Sequence, residues 1–229
     1  SYLVTGKVGN DVLWLTRTPE TVDKVDQAGV VDALRDTQAL THDNLLALRD
    51  VGFSSNGNLY LVHEFFNGTS LKTILEKNDP LFWVAVMGIC HEICSVLALS
   101  HDRGVTHGEL NSSSILINEH GHLKVRGLGT QSVLDTARGE ISLAGSQREA
   151  DMKAVGRLVR SMVSGQGELP QGLPSVVERV CEWEQAPVTA QKGVDVSLEA
   201  LRMVLSHAAT DIAGREKHDR DPNSERRTQ

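Results

Sequence analysis

Apolar and polar positions alternate along the first part of the chain and take up a helical period further on. Tyr2 to Val8 and Asp11 to Thr16 read as strands joined by a Gly9-Asn10 turn, a strong hairpin signal. Val30, Val31, Leu34 and Thr37 recur at helical spacing and predict a short helix over Val30 to Leu40. Leu45 to Phe53 and Asn58 to Phe65 read as two further strands, split by the turn Ser54-Ser55-Asn56-Gly57. From Thr69 the pattern predicts helices. The first, Ser70 to Glu76, is capped by Thr69 or Ser70. Pro80 to His101 carries Phe82, Val84, Ala85, Ile89, Ile93, Val96 and Leu97 on most of its sides and reads as a core helix. Two short strands flank Glu119-His120-Gly121, and helices follow at Glu149 to Ser164, Pro174 to Glu184 and Ser197 to Ala209. Strands first and helices after predict an α+β layout. From Asp211 the chain has few large apolar residues and reads as a flexible, solvated tail.

Composition narrows the function. With 229 residues, 40% hydrophobic, the chain can bury one sizeable core or two small lobes. A net charge of -7 argues against a nucleic-acid surface. No apolar run approaches the roughly 18 residues of a membrane-spanning helix. Ser1-Tyr2-Leu3-Val4 reads as a strand rather than a secretory leader, and a start on Ser is expected of a fragment. Cys90 and Cys94 share a helix face, but only His91 is near and it lies on another face. Reduced, buried thiols in a cytoplasmic protein are expected, and no metal site.

The chemistry-bearing stretch is His107 to Gly129, HGELNSSSILINEHGHLKVRGLG. It resembles the catalytic segment of eukaryotic-type protein kinases, HRDLKPxNILI followed by VKIxDFG. In that resemblance Glu109 stands for the catalytic Asp, Asn111 for the Lys two residues on, Ser114 for the metal-binding Asn and Gly127 for the Asp of DFG. The apolar frame of Leu110, Ile115, Leu116, Ile117 and Val125 is kept. Other pieces fall in the family's order. HDNLLALRDVG is similar to HPNIVRLYDVG, LYLVHEFFNGTSLKTIL to the hinge with His63 as gatekeeper, and ADMKAVGRLVRSMVSG to the helix whose Asp, here Asp151, braces the catalytic loop. The resemblance covers roughly Tyr2 to Leu205. It implies a two-lobed kinase-like fold: a reduced β-rich lobe over residues 1–66, a helical lobe over 67–209, and the tail over 210–229.

The same resemblance shows what is missing. GKVGNDVLWL is too short for a glycine-rich phosphate loop and puts Asn10-Asp11 where glycines belong. Lys24 in TVDKV stands for the third-strand Lys, with a solvated surface Lys as the alternative. Asp32 or Asp36 stands in for its helix partner Glu, each a methylene short. Lys24, His63 and Glu64 are the residues left to line a vestigial cofactor cleft. His107, Leu128 and Asp151 take structural roles; AGSQREAD replaces the APE motif. Mg²⁺ requires oxygen ligands in tight octahedral geometry, which Gly127 and a neutral Ser114 hydroxyl do not supply. Glu109 keeps a carboxylate that either accepts a proton or bonds within its loop. The expectation is a pseudokinase without cofactor or Mg·ATP, serving as a scaffold or allosteric regulator of a partner protein or of another domain of its own chain. The alternatives are a nucleotide sensor without turnover and a weakly active atypical kinase.

Overall fold

The computed structural model describes residues 2–5, 12–21, 27–77, 81, 83–139 and 144–164. Within them the order is β1 (Tyr2–Thr5), β2 (Val12–Thr21), α1 (Gln27–Gln38), β3 (Leu48–Phe53), β4 (Asn58–Glu64), β5 (Thr69–Ser70), α2 (Leu71–Lys77), α3 (Trp83–Asp102), β6 (Ile115–Ile117), β7 (Leu123–Val125), α4 (Thr130–Ala137) and α5 (Ala144–Ser164). An antiparallel sheet of order β1-β2-β4-β3 carries α1 against it and forms the small lobe. A second sheet, β5-β6-β7, lies in the helical lobe. This is an α+β arrangement.

Each lobe has its own core. On α1, Val30, Leu34 and Thr37 share one buried face, and the two apolar ones pack with Val51, Leu59 and Leu61 of β3 and β4. The large core joins Met87, Cys90, Ile93, Cys94 and Leu97 of α3 to Val155, Val159 and Met162 of α5, with Ile115, Leu123 and Val125 of the small strands on top. Local chemistry sets the turns. Ser70 Oγ accepts from the Thr73 N–H at 3.2 Å and caps α2. Asn118 Oδ1 accepts from the N–H groups of His120 and His122 at 3.0 and 2.9 Å, closing the β6–β7 turn.

Several boundaries differ from the sequence expectation for physical reasons. β2 runs on from Thr16 to Thr21 and tolerates Pro19 because its register against β4 breaks between Arg17 and Thr21. β3 starts at Leu48 rather than Leu45, because the preceding residues bond the other lobe instead: Leu46 N–H donates to Val125 O at 2.8 Å and Val125 N–H to Asn44 O at 2.7 Å. α5 starts at Ala144 rather than Glu149, and α4 was not expected at all. The Gly9-Asn10 turn, the helices expected at Pro174 to Glu184 and Ser197 to Ala209, and the tail from Asp211 lie outside the described residues.

Candidate functional site

The loop after α3 is held from below by one carboxylate. Asp151 on α5 is 1% exposed; its Oδ2 accepts from the His107 N–H at 2.8 Å and lies 2.9 Å from His101 Nε2, while Oδ1 accepts from the Gly108 N–H at 3.0 Å. Arg148 adds a bond to the His101 carbonyl at 2.6 Å. His107 is buried with both nitrogens used. The Glu109 N–H donates to Nδ1 at 3.3 Å, so the proton sits on Nε2, which donates to Arg126 O at 3.1 Å. Burial holds this imidazole below its ordinary range, with Asp151 pulling the other way. His107 therefore links the loop to the strand end as a neutral group.

At the two positions that stand for the family's Mg²⁺ ligands, Ser114 bonds within its own turn and Gly127 has no side chain. The Ser114 hydroxyl donates to Asn111 O at 2.6 Å and accepts from the Asn111 N–H at 2.9 Å. Asn111 is turned inward too: Oδ1 accepts from the Ser113 N–H at 2.8 Å and Nδ2 donates to Glu109 O at 3.1 Å. The Asn111 and Ser114 side chains thus bond within their own turn. Gly127 has φ +84°, and a Cβ there would meet only His107 Cε1, at 4.0 Å. Its missing side chain is not imposed by crowding. Glu109 is exposed.

His63 and Glu64 both lie on β4 and have different surroundings. His63 is 7% exposed, and burial first, then the charge of Arg126, push its pKa down to about 4 against a smaller opposing pull from Glu64. Glu64 is committed elsewhere. Its Oε1 accepts from Lys124 Nζ at 2.8 Å and from the Ala47 N–H at 3.2 Å, tying β4 to β7. Burial works against its ionisation, yet these bonds and the nearby Lys124 and Arg49 charges hold the carboxyl below its usual range. Lys24 lies outside the described residues. β2 pairs with β1 on one edge and with β4 on the other, and its residues Val12–Thr21 include no Lys. Neither Asp32 nor Asp36 replaces the helix Glu. Both are exposed, Asp32 pairing with Arg35 at 3.2 Å, while the inward positions of α1 are Val30, Leu34 and Thr37.

The remaining candidates for metal ligands do not converge. Cys90 and Cys94 are buried in α3, and burial pushes the Cys94 thiol up to about 12, so it keeps its proton. His120 and His122 meet edge to face at the β6–β7 turn. Among the described residues no three His, Cys, Asp or Glu side chains come together as a metal site.

Two features escaped the sequence reading. Arg126 sits where the family motif leaves its position unspecified, so nothing marked it as a cleft residue. α4 begins directly after Gly129 and seats Leu134 in the small-lobe core. TQSVLDTA has little apolar periodicity to announce it.

A profile described as protein kinase domain matches residues 18–148, more than half of the 229. The chain belongs to the protein kinase domain family. Among curated kinases it is 28% identical over 116 residues to the serine/threonine-protein kinase RUNKEL of Arabidopsis thaliana, covering 51% of this chain and 8% of that protein. It is 26% identical over 143 residues to the probable serine/threonine-protein kinase PknB of Lactococcus lactis, covering 56% and 23%. The chain thus spans under a quarter of the length of either kinase. Among solved structures, a mutant of the Neurospora crassa PAN3 pseudokinase superposes with a TM-score of 0.78 over 98% of this chain and 61% of that one. At 12% identity this likeness speaks to the kinase fold alone.

Proposed function

We propose that this kinase-family chain is a pseudokinase: a kinase fold that does not transfer phosphate and acts by binding a partner protein or another domain of its own chain. The observation that carries the reading is the closed Ser114 hydroxyl opposite a side-chain-free Gly127. Phosphoryl transfer asks a protein mainly for positioning and for neutralising phosphate charge through Mg²⁺. The residues at these positions do not fit Mg²⁺. One hydroxyl already spends its proton and one lone pair on Asn111, and the other position offers no oxygen. Glu109 keeps a carboxylate, but a base without the metal clamp lacks the principal electrostatic term. The retained frame supports a binding role, since Leu110, Ile115, Val125 and Leu128 are all buried and maintain the fold around an altered site. No described helix is long and apolar enough to cross a membrane.

Purified chain incubated with radiolabelled ATP and Mg²⁺ or Mn²⁺ is expected to incorporate no more label than a protein-free control. Incorporation that Glu109→Ala abolishes would overturn the reading. A second reading, a nucleotide held without metal, is favoured by Arg126, whose positive charge reaches His63 at the cleft. Stabilisation by ATP in excess EDTA, lost in Arg126→Ala, would select it.

A further inference from the structure

The small-lobe sheet meets the helical lobe at the end of β4. Lys124 Nζ of β7 donates to Glu64 Oε1 at 2.8 Å, and Arg126, just past β7, lies near enough for its charge to act on the buried His63. A ligand lying between the lobes and reaching the sheet therefore meets it beside His63.

Antiparallel pairing shows which residues neighbour His63. Residues directly opposite on paired strands share a face of the sheet, their Cβ atoms about 5 Å apart. One such row crosses the sheet at His63: Leu3 of β1 pairs with Trp14 of β2, Trp14 with His63, and His63 with Leu48 of β3. The next row on that face holds Thr16, Leu61 and Val51. Leu61 and Val51 join Val30 and Leu34 of α1 in the small-lobe core, so this is the inner face. Position 14 is thus the place on the inner face of β2 next to His63.

The residue types along β2 decide what this face can accept. A flat ring laid against a sheet needs small residues beneath it, because protein interiors have no spare space for two groups of equal size. Trp is the bulkiest residue, and its indole is a fused aromatic bicycle of nearly the same size as a purine. The other inner places of β2 here are Val12 and Thr16, both uncharged, while Arg17 shares the opposite face with Tyr60. β2 brings bulk to the row at His63 and no cation for a phosphate.

We propose that position 14 decides whether the cleft admits a purine base, and that Trp there excludes one, the chain supplying its own aromatic bicycle where a nucleotide would bring one. The inference rests on the pseudokinase reading of this cleft and extends it from the metal positions to the base. It stands against a nucleotide held without metal.

The test uses adenosine, which has no phosphate to transfer and needs no metal, so its outcome is separate from that of the labelling experiment. The native chain, Trp14→Ala and Trp14→Val are titrated with adenosine and, separately, with indole, and read by calorimetry and thermal stability. Apolar space opened by truncating a large side chain takes up rings that match it. The native chain is expected not to bind adenosine, and both variants to bind it at least about tenfold more tightly than the native chain does. Adenosine held by the native chain as tightly as by the variants overturns the proposal. So does a variant that binds indole but not adenosine, since Trp14 is then an ordinary packing residue. Should Trp14→Ala fail to fold, Trp14→Val, which keeps a strand-forming residue, decides alone. Absence of adenosine binding by that variant overturns the proposal.

Discussion

Asp151→Ala is expected to cost about 3–5 kcal/mol of stability, read as a large fall in the urea midpoint. The carboxylate is almost wholly buried and accepts two backbone N–H groups while contacting His101 Nε2. Alanine removes the acceptor and leaves those donors in a site water does not readily reach. Each orphaned buried group costs roughly 1–3 kcal/mol, and more where the lost partner was charged. Asp151→Asn keeps the shape and one acceptor oxygen and is expected to lose about half as much. A loss below about 1 kcal/mol for alanine, the size of an ordinary surface change, would show that the loop is held by other contacts.

The second large effect is a loss of stability in acid that runs through His63. Its native pKa is about 4 against an ordinary 6.5, so between those values the unfolded chain takes up a proton that the folded chain refuses. For a depressed base the penalty is absent above 6.5 and grows as pH falls towards 4. Moving from about pH 7.5 to about pH 5 should cost about 2 kcal/mol through this residue. His107 acts in the same direction, and Glu64, held below its usual range, withdraws its own contribution only at lower pH. Chemical denaturation of the native chain and of His63→Leu at both pH values isolates the His63 part. The variant should lose about 2 kcal/mol less over this interval. Equal losses would mean that His63 is hydrated or paired in solution.

Much of this architecture is legible in the amino-acid order because burial follows period. α1 and α3 announce themselves by apolar spacing, and the Ser54–Gly57 and Asn118–Gly121 turns by their residue types. What sequence does not carry is the outcome of tertiary competition. Leu45 to Ala47 has the character of a strand, yet Leu46 bonds β7 and joins the lobes. α4 is rich in Thr, Ser and Asp, poor helix formers, and packs through Leu134 against a surface that only the folded lobes create. At the site, the replaced residues Glu109, Asn111, Ser114 and Gly127 are visible in the motif itself. The inward closure of the Ser114 hydroxyl is not, because it depends on backbone geometry within one turn.

The most direct test of the central claim is the thermal stability of the chain with saturating ATP, measured with and without Mg²⁺. A ligand bound to the native state at 100 times its Kd stabilises by about 2.7 kcal/mol, a readily measured shift. The account predicts no increment attributable to the metal, since neither Ser114 nor Gly127 presents a ligand oxygen to it. A Mg²⁺-dependent rise that disappears in Ser114→Ala would contradict it.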